Sequence, residues 1–120
     1  SLHDALPILC KPAGCDTKLI FEVGFLTDEM IADLTKICCG AGVTYVKTAT
    51  GSQAFPDIHQ VKIMKENLSG DTKIKVSGVP RTFTLPAAMY AFEHLGVSLI
   101  GTRSAGKLVA QYAEYLEEIK

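Results

Sequence analysis

Apolar and polar positions alternate along this chain in blocks that predict strands separated by helices. Residues 18–23, Lys-Leu-Ile-Phe-Glu-Val, have the mostly apolar, alternating pattern of a strand. Further short apolar runs predict strands at 43–47, 72–76 and 97–100. Apolar residues at helical spacing cover 28–39, 56–66, 85–94 and 105–119. The pattern therefore predicts four consecutive βα units.

The first two helices carry recognisable start and stop signals. Thr27 is the expected N-cap of the first helix, with acidic residues in the positively polarised first turn. Gly40-Ala41-Gly42 is expected to end this helix. Pro56 is expected in the first turn of the second helix, where no backbone N–H is needed. The apolar face of the first helix is predicted to consist of Met30, Ile31, Leu34 and Ile37.

Strands that alternate with helices predict parallel pairing through right-handed crossovers. Four βα units fit two architectures, namely a small open α/β sheet or half of an eight-stranded TIM (βα)8 barrel. A complete barrel of this kind has about 250 residues. Both architectures place ligand-binding and active sites at the C-terminal ends of the strands. The loops that follow the strands are therefore expected to contain the site.

Composition narrows the function classes. The chain has 120 residues, 48% of them hydrophobic, so residues 9–120 are expected to form one domain with a core of their own. The formal net charge of −1 gives no basic excess for nucleic acid, and no apolar run is long enough to suggest a membrane partner.

The four cysteines include the adjacent pair Cys38 and Cys39, which suits neither a disulfide framework nor a zinc site. Reduced thiols, a cytoplasmic location and the absence of a metal or other cofactor are therefore expected. Residues 1–8, Ser-Leu-His-Asp-Ala-Leu-Pro-Ile, resemble the in-frame translation of a common sequencing adapter. We expect them not to be native sequence, so they carry no functional argument.

Two lysines at the ends of predicted neighbouring strands are the main candidates for catalytic residues. Lys47 lies on the opposite face of its strand from Val46, and Lys75 lies on the opposite face from Ile74 and Val76. If the apolar residues face the helices, both ammonium groups enter one site. Repulsion between them then favours the neutral, nucleophilic form of one amine, as an imine-forming enzyme requires. Surface lysines on solvated strands are the alternative.

Lys18 and Glu22 on the first strand are expected to share the same face, where Glu22 would neutralise part of the positive charge. Loops rich in glycine, serine and threonine follow the strands at 50–52, 77–78 and 101–104. Such loops let backbone N–H groups and hydroxyls approach an anion, although ordinary turns have the same composition. His59 and His94 are interpreted as structural or solvent-facing.

These segments together resemble one family. Tyr45-Val-Lys-Thr-Ala-Thr-Gly51 resembles the Schiff-base strand of deoxyribose-phosphate aldolases. Lys75-Val-Ser-Gly78 resembles the strand of their second lysine, and Ile100-Gly-Thr-Arg-Ser104 resembles their phosphate strand. The segment from Lys18 to Gly24 also fits in order and spacing, so that the resemblance runs from about residue 9 to residue 120 and covers the last four βα units of the barrel.

The resemblance implies a class I aldolase that cleaves 2-deoxyribose 5-phosphate to acetaldehyde and glyceraldehyde 3-phosphate. It implies that Lys47 forms the imine, that Lys75 lowers the pKa of Lys47 and assists proton transfer, and that Lys18 is a further interior lysine. The residues that it implies around the phosphate are Gly51, Ser52, Gly78, Gly101, Arg103 and Ser104.

The chain also departs from the family pattern. The interior aspartate that supports proton transfer in the family comes from an earlier strand, Val79-Pro80 replaces a Gly-Ile type pair, and Arg103 stands where serine is common. A half barrel has open strand edges, so a homodimer or higher homo-oligomer that completes the barrel is expected. An inactive or weakly active fragment that only binds a sugar phosphate, and an unrelated phosphate-binding α/β module, remain as alternatives.

Overall fold

The computed structural model describes residues 9–10, 12–52, 55–80 and 83–120. The prediction for residues 1–8 lies outside this part of the chain. Four strands form one parallel sheet whose spatial order follows the sequence, β1-β2-β3-β4. The strands are β1 Lys18–Ile20, β2 Tyr45–Lys47, β3 Lys73–Val76 and β4 Val97–Ile100.

A helix follows each strand, which confirms the prediction of four βα units. The helices are α1 Asp28–Ala41, α2 Ile58–Glu66, α3 Leu85–His94 and α4 Ala105–Glu118. None of the helices in the described ranges is long and apolar enough to cross a membrane. A short 3-10 helix, Val23–Phe25, lies between β1 and α1.

Helices α1, α2 and α3 contribute buried residues to a core on one face of the sheet, and α4 packs beside α3. Val46 and Ile74, at the centres of β2 and β3, are fully buried in a core that includes Ile31 from α1 and Met64 from α2. On the opposite face, Ile20 remains 45% exposed. An open doubly wound sheet would have helices on both faces and a reversal in strand order. One-sided helices on sequentially ordered strands instead give half of a (βα)8 barrel, with the uncovered face as the barrel interior.

Helix caps explain where the helices begin. The Thr27 hydroxyl accepts a hydrogen bond from the Met30 N–H at 3.2 Å, as an N-cap residue should. Asp57 caps α2 in a capping box with Gln60, so Pro56 lies before the cap and not in the first turn as predicted. At the other end of α1, the helix continues through Gly40, and Gly42 adopts the left-handed conformation that closes it.

Two sequence predictions about side-chain direction are wrong. The first strand ends at Ile20, because the backbone of Glu22 turns into the left-handed region (φ 54°, ψ 60°); Glu22 therefore does not continue the strand face of Lys18. In α1, the predicted apolar face is right at Ile31, which is buried, and at Leu34, which packs against the core. It is wrong at Met30 and Ile37, which are more than half exposed, and Thr35 and Cys38 are buried in their place. Thr35 can be buried because its hydroxyl donates to the Ile31 carbonyl at 2.7 Å.

Candidate active site

The two lysines singled out from the sequence lie side by side on the uncovered face of the sheet. Lys47 and Lys75 are register partners at the C-terminal ends of β2 and β3. Their neighbours Val46 and Val76 point into the helix-covered core. The alternation of apolar and charged residues therefore aims both ammonium groups away from the helices and toward the barrel interior.

Among the described groups of the site, the Lys75 ammonium has a lowered pKa. Burial lowers the pKa of Lys75 from its ordinary value, and the charges of Lys18 and then Lys47 lower it further. Lys18 thus acts on the site electrostatically, although it begins one register row nearer the N-terminal edge, opposite Tyr45. Its ammonium lies 5.5 Å from the centroid of the Tyr45 ring, a cation–π contact.

Buried hydroxyls join the loops that follow β2 and β3. The Thr48 hydroxyl donates to the Ser77 carbonyl at 2.8 Å and accepts from the Ser77 N–H at 3.0 Å. The Ser77 hydroxyl donates to the Ala49 carbonyl at 2.8 Å. These bonds take over where the strand ladder ends, so the two loops leave the sheet as one unit.

Glycines allow the loop backbones to approach one another and the lysine. Gly51 and Gly78 both have positive φ, and a Cβ on Gly78 would lie 2.7 Å from the Gly51 nitrogen. Gly101 lies beneath Lys75, because a Cβ at position 101 would lie 3.1 Å from the Lys75 Cε. A side chain at position 101 would fill the space beside the Lys75 amine, and side chains at positions 51 and 78 would push the two loops apart.

These loops and both lysines surround one pocket of about 450 Å³ at the C-terminal edge of the sheet. Both lysines line it together with residues from all three glycine-containing loops. The polar and glycine residues that line it are Lys47, Thr50, Gly51, Lys75, Ser77, Gly78, Gly101, Thr102 and Arg103. Phe55, Val79 and Pro80 add an apolar side. The arrangement combines amines with loops able to receive an anion.

The structure brings most of the predicted site residues together. Among the predicted phosphate residues, Gly51, Gly78, Gly101 and Arg103 line the pocket. Ser52 lies next to it, with its hydroxyl 2.9 Å from that of Thr50. The Ser104 N–H donates to the Thr102 hydroxyl at 3.1 Å, at the start of α4. Phe55 was not foreseen, since a lone aromatic residue in a polar loop gives no signal in the sequence.

Glu22 does not lie where the sequence placed it. Its carboxylate accepts a hydrogen bond from the Thr50 N–H at 2.8 Å, so it contacts the loop after β2. The expected neutralisation of interior lysine charge is replaced by a contact with backbone. The left-handed turn at Glu22 is the reason, because it rotates the side chain off the face that carries Lys18.

Sequence comparisons point to one family of enzymes. The chain is 35% identical over 107 residues to a deoxyribose-phosphate aldolase of Bacteroides thetaiotaomicron, which covers 88% of this chain and 44% of the relative. It is 33% identical over 117 residues to that of Microcystis aeruginosa, covering 98% of this chain and 51% of the relative. The chain resembles deoxyribose-phosphate aldolases. It spans about half the length of the curated relatives that it matches. No family model matches the chain.

Solved structures agree with this resemblance. An aldolase named QR15 superposes with a TM-score of 0.80 at 25% identity, covering 94% of this chain and 50% of that one. The tetrameric deoxyribose-phosphate aldolase of Aeropyrum pernix superposes with a TM-score of 0.78 at 26% identity, covering 92% of this chain and 47% of that one. The prediction of a half barrel is confirmed, because the βα-barrel aldolases are matched over about half of their length.

Proposed function

We propose that this chain supplies the imine-forming half of a class I aldolase that acts on 2-deoxyribose 5-phosphate. The observation that carries the proposal is the pairing of Lys47 and Lys75 in register, where both line one pocket with the glycine-containing loops. The names of the curated relatives support the substrate class. An unrelated phosphate-binding module would need no paired lysines, so this alternative explains the site less well.

In the proposed reaction, the neutral Lys47 amine adds to the aldehyde carbon C1 of the open sugar phosphate and loses water to form an imine. A base removes the proton of the C3 hydroxyl, the C2–C3 bond breaks, and glyceraldehyde 3-phosphate leaves. The bonding electrons pass to an enamine on Lys47. Protonation at C2 and addition of water then release acetaldehyde and the free amine.

Lys75 is assigned to proton transfer in this scheme. Its lowered pKa makes the neutral amine accessible, so Lys75 is suited to accept a proton and return it. Lys18 contributes charge that keeps this amine available. That Lys75 also lowers the pKa of Lys47 stays a prediction; mutual repulsion between the two ammonium groups supports it.

The phosphate is assigned to the loops after β2, β3 and β4. Gly51, Gly78 and Gly101 supply backbone that an anion can approach, Ser52 and Ser104 supply hydroxyls nearby, and Arg103 supplies a guanidinium.

A covalent trap tests the assignment of Lys47. Incubation with acetaldehyde followed by borohydride should leave an ethyl group on Lys47, identified by peptide mass. Lys47→Ala should abolish the adduct and aldol turnover, whereas Lys73→Ala should leave both intact, because Lys73 is an exposed lysine on the same sheet face outside the pocket. Turnover that survives in Lys47→Ala, together with no adduct in the parent chain, would refute the imine mechanism.

The partner proposed is a second copy of this chain. β1 and β4 have no strand partner on their outer sides within the described ranges, and Ile20 and Leu99 remain 45% and 37% exposed on the interior face. Pairing of β4 in one copy with β1 in the next would close a barrel and cover both residues. The tetrameric state of the Aeropyrum pernix relative supports self-association in general.

A further inference from the structure

Glu22 is an acidic residue beside the site whose backbone is unfavourable. Its φ of 54° is the only positive value at a non-glycine residue in the part of the chain that the structure describes. A side chain with a Cβ is disfavoured in this left-handed region, so the surrounding structure must hold it there. Such strain is concentrated at functional positions in proteins, so the left-handed backbone indicates that Glu22 has a function.

The Glu22 side chain extends the pairing between β1 and β2 beyond the ends of both strands. The Phe21 N–H donates to the Lys47 carbonyl at 2.9 Å, and the Val23 N–H donates to the Thr48 carbonyl at 3.1 Å. Between them, Glu22 turns over and its Oε1 accepts from the Thr50 N–H at 2.8 Å. The carboxylate therefore takes the place of the next ladder carbonyl and holds the backbone three residues after Lys47.

The second carboxylate oxygen gives an independent sign that stability alone does not explain Glu22. Its Oε2 is buried and has no hydrogen-bond partner among the described residues. A buried unpaired oxygen and a left-handed backbone both disfavour the folded state. Glycine would remove both problems. What glutamate adds is length and a charged acceptor for the Thr50 N–H, and a charge-assisted bond is about twice as strong as a neutral one.

Thr50 begins the segment that forms one wall of the pocket. Its hydroxyl lies 2.9 Å from the Ser52 hydroxyl, and the next residue, Gly51, packs its backbone against Gly78. Thr50, Gly51 and Gly78 all line the pocket. The wall is thus fixed from two sides, by the Glu22 carboxylate at Thr50 and by the Gly78 backbone at Gly51.

We propose that Glu22 is a positioning residue that holds Thr50 and Gly51 in place to receive the phosphate of the substrate. The proposal rests on the function proposed above, because it takes the glycine-containing loops as the phosphate site. Glu22 itself does not line the pocket, so it acts through the Thr50 backbone and not by contact with the sugar.

Two substitutions separate the acceptor oxygen from the charge. Glu22→Gly removes the carboxylate while also relieving the left-handed backbone, so the variant should fold. Glu22→Gln keeps an acceptor oxygen for the Thr50 N–H. Glu66→Gln is the matched control, since Glu66 is exposed at the end of α2. Melting temperatures of all three confirm that the variants are folded.

Glu22→Gly should speed hydrogen exchange of the Thr50 amide about tenfold or more, as loss of a bond to a charged group predicts. It should weaken binding of inorganic phosphate about tenfold and raise KM for 2-deoxyribose 5-phosphate by a similar factor, with little change in kcat. Activity on unphosphorylated 2-deoxyribose should not change. Glu22→Gln should restore most of the exchange protection and phosphate affinity, and Glu66→Gln should resemble the parent chain.

Wild-type exchange and phosphate affinity in Glu22→Gly would overturn the proposal. So would an equal loss in Glu22→Gln, because the glutamine oxygen still accepts from the Thr50 N–H and should keep at least part of the effect. Borohydride trapping keeps the two hypotheses apart. An adduct on Lys47 in a parent chain that binds no phosphate would leave the imine mechanism standing and reject the role of Glu22, whereas phosphate binding without an adduct would reject the imine mechanism alone.

Discussion

At the scale of single residues, the site depends on three lysines that differ in what surrounds them. Lys75 lies over Gly101, and burial is the first cause of its lowered pKa. Lys18 ranks before Lys47 among the charges that lower this pKa. The electrostatic partner of Lys75 is therefore not only its register neighbour but also a lysine on the strand beyond it.

Removal of Lys18 should shift the titration of Lys75. In Lys18→Met, the pKa of Lys75 should rise toward its ordinary value of 10.5, because the larger of the two repulsive charges is gone. The neutral fraction of Lys75 at a given pH should fall accordingly. Lys47→Met should raise the pKa less, and the burial effect should keep it below the ordinary value in both variants. Carbon-13 reductive methylation followed by NMR titration measures these shifts.

Lys73→Met is the control for this titration, because Lys73 is not among the causes of the Lys75 shift. A larger rise in Lys73→Met than in Lys18→Met would contradict the assignment. The pH profile of turnover should also change in Lys18→Met and stay unchanged in Lys73→Met. If neutral Lys75 accepts the proton, the rising limb should move to higher pH in Lys18→Met.

The sequence predicts some of these residues and not others for a physical reason. Strand alternation alone aims Lys47 and Lys75 at one side, since the period of two is fixed by backbone geometry. The effect of Lys18 on the pKa of Lys75 depends on where its long side chain places the ammonium group. Hydrophobic and polar patterning gives no information about that position. Glu22 was misplaced because a left-handed turn at a glutamate has no sequence signal comparable to glycine.

At the scale of elements, the loops after β2 and β3 form one unit because two glycine backbones touch. Gly78→Ala should destabilise the fold by about 3 kcal/mol, since it combines a left-handed alanine with overpacking. A Cβ there would meet the Gly51 nitrogen at 2.7 Å and the Ala49 Cβ at 3.0 Å. Chemical denaturation measures the loss, and phosphate affinity should fall with it.

Gly70→Ala is the matched control for this contact. Gly70 also has a positive φ of 62°, but an added Cβ would meet nothing within 4 Å. Only the backbone cost should remain, about 1 kcal/mol. Equal losses in the two alanine variants would show that the Gly51–Gly78 approach does not contribute to stability.

The start of α1 was easier to predict than its buried face. An N-cap residue such as Thr27 indicates a helix start from local sequence alone, and Thr27 is the N-cap of α1 in the structure. The buried face of α1 depends on how the helix rotates against α2 and the sheet, which is a tertiary property. Thr35 and Cys38 are buried where the pattern of aliphatic residues predicted Met30 and Ile37. Cysteine is often buried, and threonine can be buried when its hydroxyl is hydrogen-bonded.

At the scale of the whole molecule, the main feature is the sheet face that no helix covers among the described residues. It carries Lys18, Lys47, Lys73 and Lys75 with Ile20 and Leu99 and is bounded by two strands whose outer sides are open in the described ranges. Parallel sheets are ordinarily covered on both faces. The catalytic proposal and the assembly proposal are therefore linked, since closing the barrel also removes water from the amines.

A substitution at the outer edge of β4 tests this link. The Gly101 N–H donates inward to the Val76 carbonyl at 2.8 Å, so by strand alternation the Ile100 N–H points to the open side. The irregularity in the β3–β4 register lies before this residue, between Val97 and Leu99. Ile100→Pro removes that donor and leaves the β3–β4 ladder in place, because proline is tolerated at sheet edges. Self-association measured by sedimentation should weaken at least tenfold, and turnover per chain should fall with the assembled fraction. Ile100→Ala is the matched control, because it also loses side-chain packing but keeps the N–H, and it should self-associate more strongly than Ile100→Pro. A parent chain that sediments as a stable, folded monomer at micromolar concentration would reject the homo-oligomer. Full turnover by that monomer would show further that an open half barrel is enough for the lysines to work.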